Sequence, residues 1–345
     1  MQLYRKGASA ANVSEISPSI PKRDSFPASL FGPMAAGVLR TLHRIKGRFR
    51  RRDVAAISSR SASRSERVLP DDATPAEQYL EGLKKRLIRY DSHPAPDGAN
   101  DKGASRRALD RAEGRDWSAD GETMIGFRRL DNLEMCIRNV VNDRVPGDLI
   151  ECGVWRGGAT IFMRAALEAF GNTDKLVWVA DSFQGLPRPD AKIYPADRGD
   201  LLWTLDELAV SVEQVKSNFA RYGLLDDRVR FLEGWFKDTL PSAPVEQLSV
   251  LRIDGDMYQS TIEALRNLYP KLAAGGYVIV DDYGAIEACA QAVRDYRAEN
   301  GVTEEIRSID WTGVYWRKNS FFKTSGVKSA GRMVALTGFE PVFEP

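Results

Sequence analysis

Histidine is almost missing from this chain: His43 and His93 are the two in 345 residues. Both precede the part of the sequence where strand-like and helix-like runs alternate. A histidine-dependent triad or a zinc site there is excluded by inventory, so proton abstraction must fall to a carboxylate, a lysine or metal-activated water. Cysteine is nearly as scarce. Cys136, Cys152 and Cys289 are odd in number, widely spaced and without metal-ligand spacing. With no recognisable secretory signal, they predict free thiols in a reducing, cytoplasmic setting. No uninterrupted apolar run of about 18 residues occurs, so no segment is expected to span a bilayer. The GxGxxG fingerprint of dinucleotide-binding turns is absent, and no repeat with a period of about 20 to 50 residues is apparent.

What is present is an ordinary globular composition, 43% hydrophobic, enough for one main catalytic domain with appendages. The net charge of +1 hides an asymmetry. Residues 1–67 carry 14 Lys and Arg against four Asp and Glu, a net of +10 that leaves −9 for the remainder. This segment is also rich in Ser, Pro and Ala, a composition that does not offset its ordering entropy by burial, and it is expected to be disordered. Within it, about Pro33 to Arg52 can form a basic amphipathic helix suited to an anionic membrane surface or another polyanion. A solvated arm without a dedicated partner is the plainer reading, and specific nucleic-acid recognition is not expected. The expected division is a basic extension over 1–73, a helical region over 74–145, a sheet domain over 146–322 and a tail over 323–345.

Thr74 with Pro75 marks a helix start, with Tyr79, Leu80, Leu83, Leu87 and Ile88 on its inner face. A polar, turn-rich loop follows to about Trp117. A second helix is expected over Gly126–Asn142, with Leu130, Leu133, Ile137, Val140 and Val141 inward. Strands and helices then alternate: GDLIECG, Gly158–Ala169, LVWVADS, Leu208–Tyr222, VRFLEGW, a short helical link, SVLRIDG, Gln259–Tyr269, GYVIVDDY and Ala285–Glu299. Five such alternations predict a doubly wound, mainly parallel α/β sheet. EEIRSID and GVYWRK form a terminal hairpin joining it antiparallel.

Acidic residues follow three of the strands: Asp181 after LVWVA, Asp254 and Asp256 after LSVLRI, and Asp281 with Asp282 after GYVIV. Open α/β sheets bind ligands at that edge. In DLIECGVWRGGAT, Glu151, Gly153, Gly157 and Gly158 sit at a strand-to-helix turn where missing side chains let a small zwitterion approach the helix start; the alternative is a tight packing turn. Asp181 is placed to accept hydrogen bonds from a ribose, with Ser182, Phe183 and Gly185 continuing the loop. Gly234 and Trp235 end the third strand, where the ring can stack on an adenine or belong to the core. Asp254, Asp281 and Asp282 offer three oxygen donors that suit Mg²⁺, and so close together they need a compensating cation. Cys152 is expected to be a small buried residue.

These blocks, in this order, resemble the macrocin O-methyltransferase family from about Gln78 to Lys318, notably in RDWSADGETMIGFRRLDNLE, DLIECGVWRGGA, RFLEGWFKDTLP, LRIDGDMYQST and IDWTGVYW. The resemblance implies a seven-stranded S-adenosylmethionine (SAM) dependent fold with N-terminal helical additions, performing Mg²⁺-dependent methylation of a sugar hydroxyl. It places the methionine end of the cofactor on Glu151, Gly153 and Gly157–Gly158, its ribose on Asp181, and its adenine among Ser182, Phe183, Gly234 and Trp235. Thr123 and Met124 become a lid segment, and Asp254, Asp281 and Asp282 the metal ligands. It also implies a homo-oligomer. One departure is the loop after the second strand, which has no histidine and offers Lys192, Tyr194 and Asp197 as unranked bases. Asp254, as the ligand expected nearest the methyl group, is the first choice of proton acceptor. A catechol-type methyltransferase and a non-catalytic cofactor-binding protein recruited by its basic arm are the rival readings.

Overall fold

The computed structural model describes residues 69–90, 110–115 and 120–319. The basic arm, the loop 91–109 and the tail from 320 lie outside the described residues, and with them the candidate surface helix Pro33–Arg52. The chain divides into Met1–Ala56 and Ile57–Pro345, and everything below belongs to the second unit.

Helix α1 (Pro75–Leu87) starts where a capping box forms: Thr74 and Glu77 exchange side-chain and backbone hydrogen bonds, satisfying amides the helix itself leaves open. Its Leu80, Leu83 and Leu87 are buried, whereas Tyr79, expected among them, is 46% exposed. Helix α2 (Gly126–Asn142) turns Leu130, Leu133, Ile137 and Val140 into the core. The sheet follows as β1 (Asp148–Cys152), β2 (Val177–Asp181), β3 (Val229–Glu233), β4 (Leu248–Ile253), β5 (Leu272–Val280), β6 (Arg307–Ser308) and β7 (Val314–Arg317). Between the strands run α3 (Gly158–Ala169), α4 (Val212–Arg221), the single turn α5 (Phe236–Thr239), α6 (Tyr258–Leu268) and α7 (Glu287–Asn300). Helix α4 is shorter than its apolar pattern because Ser211 caps it through the Gln214 amide, and two 3₁₀ turns fill the chain before it.

The seven strands lie in the order β3-β2-β1-β4-β5-β7-β6. The first five are parallel, and β7 pairs antiparallel with β5 and with β6. Successive residues of each central strand face opposite layers. Leu149, Val179 and Val250 meet α1, α2, α3 and α4 on one side; Ile150, Trp178, Leu251 and Val278 meet α6 and α7 on the other. This double winding puts a crevice at the carboxyl ends of β1 and β4, where the strand order reverses.

Candidate active site

Ladder hydrogen bonds continue past the strand ends and so pin the residues of the crevice. Gly153 donates its amide to the Ala180 carbonyl, Asp254 to Cys152 and Asp281 to Ile253, each at 2.9 Å. Gly234 donates to Asp181 at the same distance. The backbone of the acidic edge is therefore as fixed as the sheet itself.

In front of this edge lies a cavity of about 570 Å³ whose wall includes Met124, Gly153, Asp181, Ser182, Trp235 and Asp254. Trp155 and Asp256, both with left-handed backbone (φ 47° and 58°), are on the same wall. Strain of that kind in non-glycine residues collects at functional sites. Asp181 accepts the amides of Val154 at 2.7 Å and Phe183 at 2.8 Å. Burial raises its carboxyl above the usual range while these amides oppose the rise. The Trp155 amide and the Ser182 hydroxyl, the latter at 3.5 Å, also donate to it.

Other expected cofactor residues lie elsewhere. Phe183 is buried in the core, with its ring 6.3 Å from that of Phe231. Gly157 is the N-cap of α3 and abuts Val215 of α4. Gly158 leaves room for protein rather than ligand: a Cβ there would stand 2.5 Å from the Glu122 carbonyl oxygen. Thr123 is buried. Gly153 combines both demands, with φ 87° and a Cβ position 1.8 Å from the Asp254 carbonyl oxygen, so β1 and β4 close at this point only with glycine.

The residue that sequence reasoning missed is Arg252, buried within β4 at 1% exposure. Its Nη1 bonds Glu151 and, at 2.9 Å, Asp254 Oδ2, while its Nη2 bonds Asp281. Arg129 of α2 bonds the second Asp281 oxygen and lies 3.1 Å from Asp310. Burial opposes the charge on Arg252, but Asp281, Asp254 and Glu151 outweigh it and hold the guanidinium protonated. A charge in the middle of the apolar run LSVLRI was the available signal, since buried arginine is retained only when paired.

Asp254, Asp281 and Asp282 each present an oxygen within 4.8 Å of the others. The structure thus brings the expected donors together, with two guanidiniums already among them. Asp282 Oδ2 accepts the Asp256 amide at 3.1 Å. Burial, then the charges of Asp256, Asp254 and Asp281, push the Asp282 carboxyl well above its ordinary value; burial and then Asp281 raise that of Asp254. Glu151, Asp254, Asp281 and Asp310 interact with Arg129 and Arg252, and Asp256 and Asp282 add their charges beside Asp254. Fully ionised, this cluster carries excess negative charge that a hard divalent cation would relieve, and its all-oxygen donor set suits one.

Glu151 Oε2 is buried without a hydrogen-bond partner, and burial raises this carboxyl to about 8. An ammonium group of a bound ligand would satisfy it. Of the loop residues considered as bases, Asp197 caps α6, accepting the amides of Tyr258 at 2.7 Å and Gln259 at 2.9 Å. Tyr194 lines the cavity and donates to Glu263 at 3.3 Å; Lys192 is exposed. Cys136, Cys152 and Cys289 are free and buried.

Residues 71–318 match the family described as Macrocin-O-methyltransferase (TylF). The chain is 53% identical over 246 residues to the 8-demethyl-8-(2,3-dimethoxy-alpha-L-rhamnosyl)-tetracenomycin-C 4'-O-methyltransferase of Streptomyces olivaceus, covering 69% of this chain and 92% of that protein. It is 54% identical over 209 residues to the demethyldecarbamoylnovobiocin O-methyltransferase of Streptomyces niveus, covering 60% and 80%. The solved structure of the O-methyltransferase NovP superposes with a TM-score of 0.66 at 48% identity, over 71% of this chain and all of that one. With a seven-stranded doubly wound sheet and a cavity at its switch point, the chain belongs to the macrocin O-methyltransferase family and is a SAM-dependent O-methyltransferase.

Proposed function

We propose that this enzyme methylates a sugar hydroxyl of a glycosylated natural product or polysaccharide, by in-line transfer to one oxygen of a vicinal diol, with Mg²⁺ held by Asp254, Asp281 and Asp282. The observation that carries the proposal is the convergence of those three carboxylates within 4.8 Å beside a cavity lined by Asp181 and Trp235. A relative named for 4'-O-methylation of a rhamnosyl tetracenomycin supports a sugar-bearing acceptor.

In this reading the unpartnered Glu151 oxygen takes the cofactor ammonium, Asp181 the ribose hydroxyls, and Trp235 the adenine face. Bound Mg²⁺ would act as a Lewis acid that makes the acceptor hydroxyl more acidic. The protein's own share is orientation, which in favourable intramolecular models is worth about 7 to 11 kcal/mol, together with removal of the hydroxyl proton. Of the carboxylates on the cavity wall, Asp254 and Asp256 at the end of β4 are the candidates to accept that proton. Asp254 is the first choice, and Asp256→Asn, which leaves the three proposed metal ligands in place, tests the alternative: loss of turnover with metal affinity retained would shift the assignment to Asp256.

Incubation with labelled SAM against a glycoside panel, with and without Mg²⁺, tests the proposal. Product formation on glycosides, abolished by EDTA and restored by Mg²⁺, is expected. Methylation that survives chelation contradicts the metal assignment, and turnover of catechols alone contradicts the sugar assignment.

A further inference from the structure

Residues 120–124 are strapped to the domain by contacts that converge on Glu122, a carboxylate 2% exposed. It accepts from Arg89 Nη2 at 2.7 Å, from Arg221 Nη1 at 2.8 Å and from the Tyr222 hydroxyl at 3.0 Å. These donors come from just beyond α1 and from the end of α4. The Glu122 backbone is tied as well, its amide to the Leu87 carbonyl at 2.8 Å and its carbonyl to the Gly158 amide at 2.9 Å. Arg89 Nε holds the Asp120 carbonyl and Arg156 Nη1 the Gly121 carbonyl, both at 3.1 Å. Two residues beyond Glu122, Met124 is part of the cavity wall.

A buried carboxylate costs several kcal/mol of desolvation that only well-placed partners repay. Ile125 and Phe127 anchor the chain that follows in the apolar core. On the other side of Met124 the anchoring is this ionic clasp. The missing side chain at Gly158 is what lets the strap lie on the start of α3.

We propose that Glu122 is a positioning residue: through Arg89, Arg221 and Tyr222 it fixes Met124 as one wall of the cofactor cavity, so that cofactor affinity depends on it and the transfer step does not. The proposal rests on the cavity being the cofactor site, which Trp235→Ala tests in parallel. The experiment is calorimetry with S-adenosylhomocysteine, with steady-state kinetics and thermal unfolding, on Glu122→Gln, Arg221→Met and their combination. Loss of about one charge-assisted hydrogen bond should raise Kd and the KM for SAM roughly tenfold in Glu122→Gln. The change in kcat should stay within about twofold, because uniform binding is what is lost. The double variant should be little worse than Glu122→Gln, since both remove one interaction. Unchanged affinity in folded variants, or a fall in kcat at constant KM, overturns the proposal. Should Glu122→Gln not fold, Arg221→Met, at a side chain 50% exposed, decides by the same readouts. Full affinity in Trp235→Ala overturns the cavity reading, and this inference with it.

Discussion

Arg252→Met separates charge from packing at the centre of the site, because methionine fills a similar volume without a cation. In the native protein Arg252 bonds Glu151, Asp254 and Asp281 from a position 1% exposed. Removing one partner from a buried ionic cluster costs about 3–5 kcal/mol, since the others remain buried and uncompensated. For a domain of this size each kcal/mol moves the unfolding midpoint by roughly 2–4 °C, so a fall of about 6–20 °C is expected. The loss should depend on pH, and the sign follows from the carboxylates. Burial raises the Glu151 carboxyl to about 8 and also raises that of Asp254, and losing the guanidinium raises both further. The folded variant then holds protons that the unfolded chain, and above about pH 8 the native protein too, releases, so its stability declines as pH rises from the ordinary carboxylate range to beyond about 8. Denaturant titrations at about pH 6 and pH 8.5 should show the larger deficit at the higher pH, with Mg²⁺ restoring more stability to the variant than it adds to the native protein. A deficit below about 1 kcal/mol, or one equal at both pH values, would refute this account of Arg252.

Asp254→Asn and Asp282→Asn are each expected to abolish turnover while S-adenosylhomocysteine still binds; calorimetry showing lost cofactor affinity instead would contradict the division of labour. Because burial and neighbouring acids raise the Asp282 and Asp254 carboxyls, a metal must displace protons, so Mn²⁺ affinity should tighten as pH rises from about 5 to 8. A flat affinity profile would argue against these ligands. Gly153→Ala should cost well over 3 kcal/mol or prevent soluble folding, because its Cβ would stand 1.8 Å from the Asp254 carbonyl oxygen at φ 87°; a native-like unfolding midpoint would show that β1 and β4 can part without penalty.

Sequence alone determined the frame. The apolar period and punctuation of Gly126–Asn142 and Gly158–Ala169 place those helices at the residues observed, and the acidic residues closing three buried runs do lie along one sheet edge. These features are local, since periodicity and turn chemistry act within a few residues of themselves. The residue-by-residue use of that edge was not legible. Gly157 and Gly158 have the composition of a ligand cradle, yet their space is filled by Val215, the Glu122 backbone and the Thr123 side chain. Phe183, two residues after Asp181, turns into the core instead of the cavity. Glu151 and Asp254, 103 positions apart, share one guanidinium, and Glu122 draws its partners from the chain just beyond α1 and from the end of α4. Only the tertiary structure decided these matters: a buried charge takes whichever partners packing brings within hydrogen-bond reach, and those lie far away in the chain.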